Sequence, residues 1–161
     1  KKIKDITVCL LDRDRHFEII NSIKKIGAKV KLITDGDVAG ALLVSDKKYN
    51  VDIFAGIGGG PEGVIVASAL DAMNCNFQGR FIFETDKDKA RAKQMGIKDL
   101  NKKYEINEIV KGDSIFCATG ITSGDLINGL KKDGSNFHTE TLITHKSENL
   151  VSIIHKKYLS K

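Results

Sequence analysis

The chain has 161 residues, 41% apolar and 29% charged, with no Trp and a net charge of +5. That is the make-up of a single globular domain able to close its own core without staples, and no apolar run approaches the ~20 residues of a membrane span. The positive balance favours anionic partners, but the lysines are scattered among 21 acidic residues and only 6% of residues are aromatic, which argues against nucleic acid.

Residues 6–11 form a short β-branched apolar run of buried-strand type, ending in Asp12-Arg13-Asp14-Arg15-His16. Phe17, Ile19, Ile20, Ile23 and Ile26 follow at helical spacing, and Gly27 closes the segment. A second strand over 29–33 ends in Thr34-Asp35-Gly36-Asp37, and 38–44 reads as a helix with Asp35 or Asp37 available as its cap. The unit recurs as a strand over 51–55, a glycine loop and a helix to about Met73. A fourth strand is predicted over 81–84, with a charged helix over 87–95 stopped by Gly96.

The pattern then changes. A polar stretch carries a short helical tendency at 105–110, and 114–120 is a strand running into Gly120-Ile121-Thr122-Ser123-Gly124-Asp125. That loop suits either phosphate or sugar contacts or a plain turn. Segments 137–145 and 149–155 alternate as antiparallel strands expected to cover one edge of the sheet. His138, His145 and His155 show no ligand spacing and read as surface or structural residues.

Strands alternating with helices predict an α/β fold: a mainly parallel sheet with helices on both faces, and antiparallel strands at the carboxyl end. Ligands of such sheets bind beyond the carboxyl ends of the strands. The loops at 12–16, 35–37 and 56–63 are expected to converge there. Taken singly, each has a plain alternative: a solvated arginine turn with His16 capping or packing on the sheet, two capping aspartates, and a tight connection.

Gly56-Ile57-Gly58-Gly59-Gly60-Pro61-Glu62-Gly63 is the most informative of the three. Glycines let a backbone approach a phosphate, and Pro61 suits the start of a helix whose free N–H groups attract anions. Glu62 complements the helix dipole but repels a bare phosphate unless a cation lies between them, which points to a phosphate and a divalent metal sharing one site. The loop also matches G-x-G-x-x-G at Gly58, Gly60 and Gly63, with Glu84 roughly ~20 residues on as in dinucleotide folds. Glu62 inside the turn speaks against that reading, because a pyrophosphate needs uncompensated N–H donors there.

Cys9, Cys75 and Cys117 are odd in number, widely spaced and set in apolar contexts, as expected of buried reduced thiols in a cytoplasmic protein. No signal peptide pattern is present, and the first residue is Lys1 rather than Met, so a piece of a longer protein is expected.

With these residues in view, the chain resembles the carboxyl-terminal half of class II fructose-1,6-bisphosphatases, the GlpX type of the lithium-sensitive sugar phosphatase superfamily. The resemblance covers essentially the whole chain and rests on Leu11-Asp12-Arg13-Asp14-Arg15-His16, Thr34-Asp35-Gly36-Asp37-Val38-Ala39, the glycine loop, and Ala118-Thr119-Gly120-Ile121-Thr122-Ser123-Gly124-Asp125-Leu126. It implies a bacterial, cytoplasmic, gluconeogenic hydrolase that converts fructose 1,6-bisphosphate to fructose 6-phosphate with Mn²⁺ or Mg²⁺. Its substrate-binding positions fall on Arg13, Asp14, Arg15, Asp35, Gly36, Asp37 and Gly59, with Glu62 as catalytic residue and metal ligand; Asp14 stands where proline is expected. The resemblance further implies that 1–161 is a substrate-binding carboxyl-terminal domain, and that an amino-terminal half absent from this chain carries the other metal ligands. The 161-residue chain alone is then expected to be inactive or nearly so, and to self-associate through the apolar face that half would cover. The alternative is a non-catalytic nucleotide- or dinucleotide-binding module.

Overall fold

The computed structural model describes residues 1–159; Ser160 and Lys161, the end of the expected 1–161 domain, lie outside the described residues. Three parallel strands, β1 (Thr7–Leu11), β2 (Lys29–Ile33) and β3 (Ile53–Phe54), form a sheet in the order β2-β1-β3. Helix α1 (Phe17–Lys25) connects β1 to β2, and α2 (Asp37–Leu42) connects β2 to β3. The connection leaves β1 toward one side and returns to the other, so the sheet has its topological switch point between β1 and β3.

Strand β1 is buried on both faces, as its continuous apolar run requires. Val8 and Leu10 pack with Ile20 of α1, while Cys9 packs with Leu43 and Val51 on the α2 side, so a helix covers each face. On α1, Ile20 is buried and Ile19 and Ile23 pack against it, whereas Phe17 and Ile26 remain exposed. Helix α2 approaches the sheet closely because residue 40 lacks a side chain: a Cβ there would collide with Ile33 and lie 3.1 Å from the Phe54 ring.

Helix α3 (Gly60–Ala72) is apolar on every side, which a helix can be only where it is covered by more than one neighbour. It packs against α2 on one side and against an antiparallel sheet on the other, joining Val66, Ala69 and Leu70 to Leu42, Phe116 and Leu142 in one core. That sheet is built on β8 (Asn136–His145), which pairs with β6 (Ile115–Thr119) and β7 (Lys131–Asp133) along one side and with β9 (Leu150–Leu159) along the other. The carboxyl-terminal strands therefore do not cover an edge of the parallel sheet. They make a sheet of their own beyond α3, because α3 offers them an apolar face.

The expected strand over 81–84 is absent. The pairing instead involves β4 (Gln78–Arg80) and β5 (Lys103–Glu105), which run antiparallel. Phe81 is exposed and stacks edge-on against Tyr104, 5.7 Å between ring centroids, so its aromatic surface finds a partner without a fourth parallel strand. Between them lie α4 (Asp86–Gln94), capped by a reciprocal Thr85–Asp88 box, and beyond them α5 (Ile106–Ile109). Among the described residues no helix is long and apolar enough to cross a membrane.

Candidate functional site

Loops 12–16, 34–37 and 56–60 leave the carboxyl ends of β1, β2 and β3 and meet beyond the sheet. Their junction is made by His16, which is fully buried. Its Nδ1 lies 2.8 Å from the Leu11 carbonyl and its Nε2 accepts the Ile57 N–H at 2.9 Å, so the proton sits on Nδ1 and the ring ties the end of β1 to the glycine loop. Arg15 adds a second tie, its Nε donating to the Ile57 carbonyl at 2.7 Å. This leaves the terminal guanidinium nitrogens as donors at the crevice over the switch point.

The β2 loop closes on the same place. The N-cap of α2 is Gly36, with no side-chain cap, so neither Asp35 nor Asp37 caps the helix as expected; Asp37 opens it, its Oδ1 accepting the Val38 N–H at 2.8 Å, while a Cβ built on Gly58 would lie 3.7 Å from Oδ2 of the same carboxylate. The Asp37 carboxylate thus lies in the first turn of α2 and beside the glycine loop at once. Gly36 adopts φ 81°, a conformation glycine takes without penalty, and the Asp35 carboxylate accepts its N–H at 2.8 Å.

Helix α3 begins at Gly60, so Pro61 is its second residue and Glu62 its third. The exposed Glu62 side chain folds back over the N-cap: a Cβ at Gly59 would collide with its carboxylate. Glycine is required at 59 for that approach.

The structure accordingly brings together Arg15, Asp37, the loop from Gly56 through Gly59, and Glu62, with Gly36 and Asp35 one residue behind. Arg13 is exposed and turns its Nη1 to the Asp12 carbonyl at 2.9 Å, and Asp14 sits on a short 3₁₀ turn at the outer rim. His16 holds two of the three loops together, where its sequence position allows a cap or a sheet contact. The signal for it was its place just after a strand-end arginine, where one rigid ring with a donor and an acceptor on opposite edges joins two backbones.

Three other sequence candidates fall elsewhere. Glu84 does not end a parallel strand, so the glycine match at 58, 60 and 63 lacks the acid-bearing strand of a dinucleotide fold. The loop after β6 is packed at its ends and exposed over 121–125: Leu126 enters the core beside Cys9 and Leu43, Asp125 pairs with Lys31 at 2.5 Å, and a Cβ at Gly120 would collide with the Asn128 backbone. His145, Ser147 and Asp113 cluster, but the Ser147 hydroxyl and the Asp113 carboxylate both approach Nε2, at 3.0 and 2.6 Å, so the ring cannot pass a proton between its two nitrogens from one to the other. The group staples the turn between β8 and β9. His155 lies 3.4 Å from Glu140, and His138 is exposed. All three cysteines are free; Cys9 is buried and Cys75 partly so, with burial pushing both thiols up, but Cys117 is exposed, contrary to expectation, because it points away from α3.

The class is an α/β domain whose parallel sheet carries, beyond its switch point, a glycine loop bordered by guanidinium and carboxylate groups, the place where ligands of such sheets bind. Sequence comparison gives the family: residues 1–158 match the profile described as "Bacterial fructose-1,6-bisphosphatase, glpX-encoded", and the chain belongs to that family. It is 38% identical over 167 aligned residues to a D-fructose 1,6-bisphosphatase class 2/sedoheptulose 1,7-bisphosphatase of Synechococcus sp. (strain JA-2-3B'a(2-13)), covering 96% of this chain and 48% of that protein. A second protein of that description, from Acaryochloris marina (strain MBIC 11017), is 36% identical over 171 residues, covering 96% and 49%. The chain spans about half the length of the curated relatives it matches.

Proposed function

We propose that this chain is the substrate-binding carboxyl-terminal half of a metal-dependent bisphosphatase that hydrolyses fructose 1,6-bisphosphate to fructose 6-phosphate and phosphate. The observation that carries the reading is the meeting of three loops at one crevice, with Arg15 fixed on the glycine loop and Asp37 against Gly58. A sugar bisphosphate needs cationic donors at one end, hydroxyl acceptors in the middle and charge neutralisation at the other end, and the crevice offers these in that order.

Arg15, supported by Arg13, clamps the phosphate that is not cleaved, since a guanidinium fork pairs with phosphate oxygens at two points. Asp35 and Asp37 accept hydrogen bonds from sugar hydroxyls, and the backbone at Gly36 and Gly59 allows close approach. Asp14, on the rim, lends a polar contact to the substrate. Glu62 presents an exposed carboxylate at the α3 start, an oxygen donor of the kind Mn²⁺ or Mg²⁺ takes. Among the described residues no group of three metal-ligating side chains exists, so Glu62 is one member of a set completed by the preceding half of the chain. When bound, the ion neutralises charge on the reacting phosphate and lowers the pKa of a bound water. Exposed Val64 and Ile65 lie within one turn of Glu62, a surface suited to contact with that half.

The test compares phosphate release from fructose 1,6-bisphosphate with Mn²⁺ for the 161-residue chain and for the chain extended to its natural amino terminus. Activity confined to the extended chain supports the reading. Inactivity of both, with NAD(P) bound instead, would return the glycine loop to the nucleotide-binding alternative.

A further inference from the structure

The antiparallel sheet has two faces with opposite fates. Phe116, Ala118 and Leu142 face α3 and join the core. The register then puts Ile115, Cys117, Ile143, Leu150, Ile154 and Tyr158 on the outer face, where nothing among the described residues packs. Ile115 is 64% exposed, Ile154 38% and Tyr158 55%. From Ile115 and Cys117 across Ile143 to Leu150 and Ile154 this face is apolar and largely β-branched and left open to solvent, turning polar toward Lys132 and Lys156.

Strand β9 shows the same on both sides. Val151 and Ile153 point the same way as Leu142, yet remain 49% and 36% exposed, because α3 does not reach them. Over residues 150–154 the strand carries apolar side chains on both faces, interrupted only by Ser152, close to the pattern of a strand buried on both sides, and its ten pairs with β8 run without a bulge or a proline. Natural edge strands carry such devices; this one has only Lys156 and Lys157 near its far end.

We propose that the outer face of the antiparallel sheet and the free edge of β9 are the seat of the preceding half of the chain, an apolar element lying on Ile115, Ile143 and Ile154 and a strand adding to β9. The inference rests on the proposed reading of the chain as the carboxyl-terminal half of a longer enzyme. Two observations select this occupant over a second copy. Relatives carry about as much chain again, the match covering 48% of the relative from Synechococcus. And the exposed apolar positions of β9 lie on both faces and along the edge: an edge-to-edge dimer would extend the sheet but leave both faces wet, whereas a half-chain with several elements closes all three.

Cys117, exposed on the outer face, reports directly on this. Alkylation at Cys117, read by peptide mass spectrometry, is expected to be fast in the 161-residue chain and at least ~100-fold slower in the chain extended to its natural amino terminus, the protection of a buried, rarely opened position. Equal rates in the two proteins overturn the proposal. Protection of the extended chain that appears only as its concentration rises overturns it too, in favour of a second copy. Ile115→Lys is the companion variant: unchanged melting of the 161-residue chain with a lowered melting temperature of the extended chain is expected, and no effect in either counts against the seat. Phosphate release from the same samples separates the two readings: an extended chain that protects Cys117 but lacks phosphatase activity refutes the function alone, and one that is active with Cys117 open refutes the seat alone.

Discussion

Two glycine-rich loops, after β3 and after β6, have similar composition and opposite uses. In the first, Gly56, Gly58, Gly59 and Gly60 are exposed, and what a side chain at Gly58 or Gly59 would meet is a carboxylate, Asp37 or Glu62. In the second, Gly120 and Gly129 are pressed against backbone, and Glu140 holds Asn128 through both its N–H and its side-chain amide, at 2.8 and 2.7 Å. The first loop faces side chains that the proposed function uses; the second has used its space to close a turn. Glycine content does not distinguish them. The neighbours do.

The comparison can be broken most severely at His16. His16→Ala leaves a cavity and orphans the Leu11 carbonyl and the Ile57 N–H, so a loss of about 3 kcal/mol in chemical denaturation is expected, with weakened sugar bisphosphate binding by calorimetry. Unchanged stability would mean that the two loops do not depend on the ring.

Glu62→Gln in the extended chain tests the first loop's chemistry without its fold. Turnover is expected to fall at least ~100-fold, about 2.7 kcal/mol of barrier, while the melting temperature stays put because the side chain is exposed. Undiminished turnover would remove Glu62 from the site. In the second loop Gly129→Ala should do the reverse, destabilising by about 2 kcal/mol through overpacking against Ile121 and Thr122, with substrate affinity per folded molecule unchanged.

The smallest effect is expected at the β8–β9 turn. The Asp113 carboxyl is pushed down to about 2, first by the Ser147 hydroxyl and then by His145. Its folded value lies below the ordinary value of about 3.9, so its contribution is present above about pH 4 and is lost as the pH falls toward 2. Asp113→Asn should therefore be less stable than the parent at pH 5 and converge with it near pH 2 in acid denaturation followed by circular dichroism. A constant gap across that range would show that the carboxylate charge is not what the turn uses.

Much of the domain was legible in the residues alone. Apolar runs ending in polar loops defined β1, β2 and β3; helical spacing and composition defined α1 to α4, with glycine stops at Gly27 and Gly96 for the first and the last; and their alternation placed three polar loops at one edge of a parallel sheet, because period and chain direction are local properties. The proposed site residues were placed by the same reasoning, since Arg13 to Arg15 and Asp35 to Asp37 follow strand ends and Glu62 opens the helix after the glycine loop. What only the tertiary structure decided depends on contacts far apart in sequence. The run at 81–84 has strand composition but pairs through Tyr104 instead, and a four-residue apolar run carries no period to say so. The carboxyl-terminal strands were recognisable as strands, but whether they joined the parallel sheet or made their own depended on α3 having a second apolar face to give. His16 and the loop after β6 show the same limit: a buried bridge and a packed turn are settled by which atoms lie across from them, Ile57 in one case and Asn128 in the other, and no spacing along the chain encodes that.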